Sequence, residues 1–131
     1  MNPIHHILII DDDEELCEEL SEFLSDKGYT VDVANDGSAG RRFLDRYSYT
    51  LLILDLKLPV ETGFDILRDV KKTRAGLKVM VVSGRPPDDS LLEDWEDRGN
   101  ENRVTLALAD CVLSKPIHPE LLLQSIQQLA P

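Results

Sequence analysis

The sequence has few cysteines, few aromatic residues and no long apolar run. Its two cysteines, Cys17 and Cys111, are too few for a disulfide framework and lack the spacing of zinc ligands, so we expect both to be reduced, buried thiols. No apolar run approaches the roughly 18 residues of a membrane span, and residues 1–6 lack the basic-then-apolar pattern of a signal peptide. These features argue against a disulfide-rich secreted domain and against a membrane protein, and we expect a cytoplasmic location.

Positive charge is also scarce, with 14 basic against 25 acidic side chains and a net charge of -11. Such a surface repels nucleic acid and anionic membranes, so we expect no direct nucleic acid binding and no membrane association by this chain. An acidic run such as residues 11–15 is either solvated or holds a cation, and its position in the fold decides between the two.

Hydrophobic residues make up 42% of the 131 residues, which is enough for one core, and we expect a single domain over residues 1–131. Five short apolar runs occur, at residues 7–10, 30–34, 51–54, 79–82 and 111–113. Runs this short and this apolar are typical of strands in a parallel sheet that is covered on both faces.

The amphipathic stretches between these runs have the spacing of helices. The first ends before Gly28, the second follows a turn at residues 35–37, the third follows Gly63, and Pro119 can open the last. Alternation of strand and helix predicts a doubly wound α/β fold. For residues 86–108, one broken helix and a loop followed by a helix fit equally well.

Candidate site residues follow the first, third, fourth and fifth runs, at the edge where parallel sheets of α/β proteins bind ligands. They are Asp11 and Asp12 after the first run, Asp55 after the third, Ser83 after the fourth and Lys115 just after the fifth. Three clustered carboxylates repel one another unless a cation joins them, and their oxygen atoms suit Mg²⁺. With Mg²⁺ and Lys115 beside it, Asp55 can accept a phosphoryl group, to which the Ser83 hydroxyl can donate a hydrogen bond.

Four segments of the sequence resemble response-regulator receiver domains of two-component signal transduction, of the chemotaxis-regulator type. These segments are Ile7–Leu16, Leu52–Gly63, Val81–Gly84 and Leu113–Pro116. The resemblance covers nearly the whole chain, and all five positions of the family's phosphorylation site are filled in order. It implies a flavodoxin-like fold, a five-stranded parallel sheet in the order 2-1-3-4-5 with helices on both faces.

The resemblance also implies a role for each acidic residue of the site. Asp55 would be the phosphoacceptor and, with Asp11 and Asp12, a ligand of Mg²⁺. The main-chain carbonyl of Lys57 would be a further metal ligand.

Ser83 and Lys115 would complete the site by contacting the phosphoryl group, and the Lys115–Pro116 peptide is expected to be cis. Two features depart from the family pattern. Val112 occupies a position that is usually aromatic, and Ser83 and Lys115 lie 32 positions apart, farther than is usual. In the family, the aromatic ring at this position moves between exposed and buried states when the domain is phosphorylated. Because valine has no ring, we expect the conformational effect of phosphorylation to be transmitted through the long segment between Ser83 and Asp110.

Several other polar residues and one glycine have structural interpretations. Asp13 is interpreted as the N-cap of the first helix rather than a metal ligand. Gly63 fits a backbone turn before the third helix. The three histidines have no spacing of a metal site, and we expect them at the surface: His5, His6 and His118.

We therefore expect a signalling domain rather than an enzyme that acts on a separate substrate. A partner histidine kinase or a phosphotransfer protein would phosphorylate Asp55. The domain would catalyse its own phosphorylation and dephosphorylation, and a downstream protein effector would bind the switched surface. A homodimer is compatible with this mode of action.

Two other functions are compatible with part of this sequence. A pseudo-receiver, which binds a protein partner without being phosphorylated, is the alternative, and Val112 and the long segment before Asp110 keep it open. A phosphatase of the haloacid dehalogenase type would need an aspartate two residues after its nucleophile, where this chain has Lys57, so we set that function aside. The cognate kinase, the signal and whether the chain acts alone or within a larger protein stay open.

Overall fold

A computed structural model describes residues 5–84 and 104–129 of the chain. In these residues five strands form one sheet in the order β2-β1-β3-β4-β5, and every neighbouring pair is parallel. This topology confirms the predicted flavodoxin-like sheet. The strands are β1 His6–Ile10, β2 Thr30–Ala34, β3 Leu51–Asp55, β4 Lys78–Ser83 and β5 Cys111–Ser114.

In the described residues four helices accompany the sheet, and local capping signals explain where they begin and end. The Asp13 carboxylate accepts a hydrogen bond from the main-chain N–H of Leu16 at 3.1 Å, which confirms Asp13 as the N-cap of the first helix. Gly28 has a φ of 98°, a left-handed conformation that favours glycine after a helix end. The helices are α1 Glu14–Asp26, α2 Gly37–Arg46, α3 Gly63–Thr73 and α4 Pro119–Leu129.

The hydrophobic core lies on both faces of the sheet, because successive strand residues point to opposite sides. Along β1, Leu8 and Ile10 pack with residues of α2 and α3, whereas Ile7 and Ile9 pack with residues of α1 and α4. All four side chains are at most 1% exposed. Full burial of the central strands confines polar chemistry to the strand ends.

The prediction that all five strands are covered on both faces is wrong for the edge strands. β2 is only partly buried along most of its length, and Val112 of β5 is 39% exposed. An edge strand has a neighbour on one side only, so the helices on the two faces cover it less completely.

His6 also differs from the expected surface position. Its ring lies 4.4 Å from the ring of Tyr49, and its Nε2 lies 3.0 Å from Asp32 Oδ2. The Tyr49 hydroxyl donates to the same Asp32 oxygen at 2.7 Å. This partly buried cluster lies at the amino-terminal end of the sheet, opposite the candidate site.

Of the segment from 86 to 108, residues 86–103 lie outside the described residues, so the two interpretations of it are not decided. The described remainder begins with a helical turn at residues 104–106, and Leu106 packs against the core. No described helix combines the length and the hydropathy that are needed to cross a bilayer.

Candidate functional site

The carboxyl ends of four strands bring the predicted site residues together. Asp11 follows β1, Asp55 ends β3, Ser83 ends β4 and Lys115 follows β5. Asp55 and Ser83 are the last residues of their strands rather than the first residues beyond them, because β3 and β4 extend farther than the apolar runs. Asp11, Asp55 and Ser83 are each 4% exposed, so the site is set into the sheet edge.

Lys115 links the two buried carboxylates. Its Nζ lies 3.0 Å from Asp11 Oδ2 and 3.5 Å from Asp55 Oδ2. Burial alone would lower the pKa of Lys115, but its hydrogen bond with Asp11 and the negative charges of Asp55 and Asp11 raise the pKa overall. The ammonium is therefore charged at neutral pH and stabilises both carboxylates.

Asp55 is a buried acid with a raised pKa. Its pKa is raised from 3.8 to about 6, mainly by burial and also by the charges of Asp11 and Asp12, although the main-chain N–H of Lys57 and the charge of Lys115 act in the opposite direction. The Lys57 N–H donates to Asp55 Oδ1 at 3.1 Å. Ionised Asp55 is consequently costly in the folded chain, and a bound cation would remove much of that cost.

Carboxylate oxygens of Asp11, Asp12 and Asp55 lie within 4.8 Å of one another. Asp12 is exposed at the rim while the other two are buried, so an ion held there would be open to solvent on one side. An oxygen-only set of two or three carboxylates with room for water is the kind of site that Mg²⁺ prefers. The residues present therefore fit this metal.

An open cavity of about 450 Å³ lies over two of these carboxylates, Asp12 and Asp55. Lys57, Leu58 and Pro59 form its apolar and cationic side, in the loop that follows Asp55. The remaining lining residues are Asp12, Asp55, Gly84 and Lys115. A group the size of phosphate can thus reach Asp55 from solvent.

Ser83 and Lys115 are held next to each other by the main chain. The N–H of Lys115 donates to the carbonyl oxygen of Ser83 at 2.7 Å, directly after the register pair Ser83 and Ser114. The Lys115–Pro116 peptide is cis, as expected. The role of the Ser83 hydroxyl toward a phosphoryl group stays a prediction, as does the Lys57 carbonyl as a metal ligand.

Two side chains that contact Asp11 were missed as site residues from the sequence. Asn35 Nδ2 donates to the main-chain carbonyl oxygen of Asp11 at 3.0 Å, and Cys17 Sγ lies 3.4 Å from the same oxygen. Burial, and then the charges of Asp11 and Asp13, raise the pKa of Cys17 to about 12, so its thiol stays protonated and can donate. Asn35 directly follows β2, and its place at a strand end was the signal that could have identified it.

The interpretation of Cys17 as a buried, reduced thiol is confirmed, whereas Cys111 is only partly buried; both are free. Val112, at the position that is usually aromatic, points a partly exposed side chain from β5. Of the segment between Ser83 and Asp110 that is predicted to transmit the output, residues 85–103 lie outside the described residues.

Gly63 has a different structural role from the one predicted. It is the first residue of α3, and a Cβ there would lie 2.3 Å from the carbonyl oxygen of Asp55 and 2.8 Å from Leu56 Cα. Its φ is not positive, so close approach of two main-chain segments, and not a turn conformation, requires glycine.

Comparison with known proteins gives one consistent result. The family model of the response regulator receiver domain matches residues 7–127. Protein PetR of Rhodobacter capsulatus is 31% identical over 124 residues, which are 95% of this chain and 48% of PetR. This chain therefore spans about half the length of that relative.

Solved structures agree with this result. A receiver domain protein (CheY-like) from Methanospirillum hungatei superposes with a TM-score of 0.81 at 29% identity, over 96% of this chain and 93% of that one. The BeF3-activated receiver domain of DrrB, a Thermotoga maritima protein, has a TM-score of 0.74 at 27% identity, over 95% and 96% of the two chains.

Proposed function

The chain belongs to the response regulator receiver domain family, a family of signalling domains of two-component systems, and from this premise we propose that Asp55 accepts a phosphoryl group in a Mg²⁺-dependent reaction. The proposal covers residues 1–131 as one receiver domain. The observation that supports it most directly is the position of Lys115, whose ammonium lies between Asp11 and Asp55 at 3.0 and 3.5 Å.

In the proposed reaction a carboxylate oxygen of Asp55 forms a bond to phosphorus while the bond from phosphorus to the donor breaks. With a phosphohistidine donor the P–N bond breaks, and the departing imidazole takes up a proton. The product on this chain is a mixed anhydride, an aspartyl phosphate. When bound, Mg²⁺ supplies positive charge to the phosphoryl oxygens through the site of Asp11, Asp12, Asp55 and the Lys57 carbonyl.

Residues of the chain supply the remaining stabilisation. Lys115, charged at neutral pH, can move from Asp11 and Asp55 toward the phosphoryl oxygens, because its ammonium already contacts the acceptor carboxylate. The main-chain N–H of Lys57 donates to Asp55 Oδ1, whereas Asp55 Oδ2 faces the ammonium of Lys115. Ser83, buried at the adjacent strand end, would donate its hydroxyl to the transferred group.

We infer partners from the same chemistry. A histidine kinase or a phosphotransfer protein in the cytoplasm would be the donor, and a downstream protein effector, or a second copy of this chain, would bind the altered surface. The similarity to a receiver domain that BeF3 activates supports this proposal, since BeF3 mimics a phosphoryl group.

The test is phosphorylation of the purified chain by acetyl phosphate with Mg²⁺, followed by intact-mass spectrometry, with EDTA as the control. One added phosphoryl group that requires Mg²⁺ and is lost in Asp55→Asn is the expected result. A chain that stays unmodified under these conditions would instead be the pseudo-receiver, a module that binds its partner without phosphorylation.

A further inference from the structure

We propose that Asn35, assisted by Cys17, is a positioning residue that orients the acidic turn Asp11-Asp12 for metal binding. The inference rests on the proposed function, because it concerns the same Mg²⁺ site. It adds a residue that does not contact the metal or the phosphoryl group.

The register of the sheet explains why the Asp11 carbonyl needs a hydrogen bond from a side chain. β1 and β2 pair up to Ile10 and Ala34, and the N–H of Asp11 continues the ladder by donating to the Ala34 carbonyl at 3.1 Å. In a parallel ladder the Asp11 carbonyl would next accept from the main-chain N–H of Asp36. Asp36, however, is the N-cap of α2, so the chain turns away into that helix.

The side-chain amide of Asn35 occupies the place of that ladder bond. Its Nδ2 lies 3.0 Å from the Asp11 carbonyl oxygen and 3.7 Å from Cys17 Sγ, while Cys17 Sγ lies 3.4 Å from the same carbonyl oxygen. Because a carbonyl oxygen only accepts, the amide nitrogen must face it, and the amide orientation follows. Two side chains, one from α1 and one from the turn after β2, therefore hold one peptide group.

Holding this peptide group has a consequence for Asp12. The Asp11 carbonyl and the N–H of Asp12 belong to one planar peptide unit, so fixing the carbonyl fixes the direction in which the chain enters Asp12. The Asp11 carboxylate has its own restraints, from the Asp13 N–H at 2.9 Å and from Lys115. Asp12 is exposed at the rim, so its position depends on the main chain that carries it.

The ordinary alternative is that Asn35 merely stabilises the connection between β2 and α2. A positioning role differs from this in its effect on Mg²⁺. Removing a partner that bonds a metal ligand atom directly costs about 10- to 100-fold in affinity. Because Asn35 acts through the main chain, we expect a smaller loss in Asn35→Ala, about threefold to tenfold in the Mg²⁺ dissociation constant.

The experiment is a Mg²⁺ titration of the full chain, followed by NMR amide shifts, for the parent, Asn35→Ala, Cys17→Ala and Leu44→Val. Leu44 is buried on α2 away from Asp11, so Leu44→Val is a matched control that lowers stability without removing a donor. Thermal unfolding of each variant shows how much stability it has lost. We expect weaker Mg²⁺ binding in Asn35→Ala, a smaller effect in Cys17→Ala because a thiol is a weak donor, and no change in Leu44→Val.

Phosphorylation by acetyl phosphate gives an independent readout. In Asn35→Ala the Mg²⁺ concentration for half-maximal rate should rise by the same factor, while the rate at saturating Mg²⁺ should stay within about twofold of the parent. If the parent binds Mg²⁺ and is phosphorylated but Asn35→Ala binds Mg²⁺ as tightly as Leu44→Val does, the positioning role of Asn35 is wrong and the proposed function still holds. A parent that neither binds Mg²⁺ nor accepts a phosphoryl group would overturn the proposed function as well.

Discussion

Gly63 lies directly against the main chain of Asp55, so that a Cβ on Gly63 would be only 2.3 Å from the Asp55 carbonyl oxygen. The N–H of Gly63 also donates to the Leu56 carbonyl at 2.8 Å. The start of α3 is thus packed on the segment that carries the proposed phosphoacceptor, and neither side is a flexible side chain that could move aside.

We predict that Gly63→Ala destabilises the fold by about 1–3 kcal/mol, the usual range for overpacking, and slows phosphorylation of Asp55. Gly76→Ala is the matched control, since a Cβ on Gly76 would meet nothing within 4 Å. Urea unfolding of both variants checks the prediction. Equal stability of the two variants would show that the contact at Gly63 relaxes without cost.

The raised pKa of Asp55 predicts a pH-dependent gain in stability for Asp55→Asn. The pKa of Asp55 is about 6 in the folded chain against an ordinary 3.8, so the folded chain binds the proton of the Asp55 carboxyl group more tightly than the unfolded chain does. Stability contributed by protonated Asp55 is therefore complete near pH 4 and is lost as the pH rises through about 6. At pH 8 without Mg²⁺, Asp55→Asn should be more stable than the parent by up to about 3 kcal/mol.

Urea unfolding in EDTA at pH 4 and pH 8 measures this difference. The two proteins should be about equally stable at pH 4, and adding Mg²⁺ at pH 8 should stabilise the parent more than Asp55→Asn. If Asp55→Asn is more stable than the parent by the same amount at both pH values, burial of the ionised carboxylate is not the cause of the difference in stability.

We predict that Asp12→Ala abolishes Mg²⁺ binding in the absence of phosphate. Asp12 supplies one of three carboxylates whose oxygens lie within 4.8 Å of one another, and the remaining two also bind Lys115. Asp13→Ser is the control, because it removes one neighbouring negative charge and keeps an N-cap residue. An Mg²⁺ titration in which Asp12→Ala matches the parent would place the metal elsewhere.

Lys57 should prolong the lifetime of the phosphorylated chain. Its exposed side chain lines the cavity above Asp55, where it can cover the phosphoryl group without acting as a base for water. Lys57→Asn should therefore lose phosphate faster than the parent, whereas Lys72→Asn, at an exposed lysine of α3, should match it. A longer half-life for Lys57→Asn would refute this account. We expect Arg85, two residues beyond Ser83, to cover the phosphoryl group together with Lys57, but Arg85 lies outside the described residues.

The sequence was sufficient to predict the sheet and which residues meet at its carboxyl edge. Buried central strands must be apolar throughout, so each appears as a run whose end marks an edge of the sheet. Asp11, Asp55 and Lys115 stand at such ends, and the structure places Lys115 Nζ within 3.5 Å of a carboxylate oxygen of each of the two aspartates. Local signals also sufficed for Asp13, because an N-cap depends only on the residues that follow it.

Contacts between distant segments could not be predicted in the same way. The place of Asn35 at a strand end is visible in the sequence, but its bond to Asp11 depends on the register of β1 against β2, which neither segment shows alone. The need for glycine at 63 arises from how closely α3 approaches Asp55, and His6 is partly buried because Tyr49 packs on it. Partial exposure of Val112 follows from its place on an edge strand.

The most direct test of the central claim is to identify the residue that carries the phosphoryl group. The chain is incubated with acetyl phosphate and Mg²⁺, the aspartyl phosphate is reduced with borohydride to homoserine, and peptide mapping by mass spectrometry finds the converted position. Homoserine at position 55, absent with EDTA and absent in Asp55→Asn, is the predicted result. Conversion of Asp11 or Asp12 with Asp55 intact, or full labelling of Asp55→Asn, would contradict it.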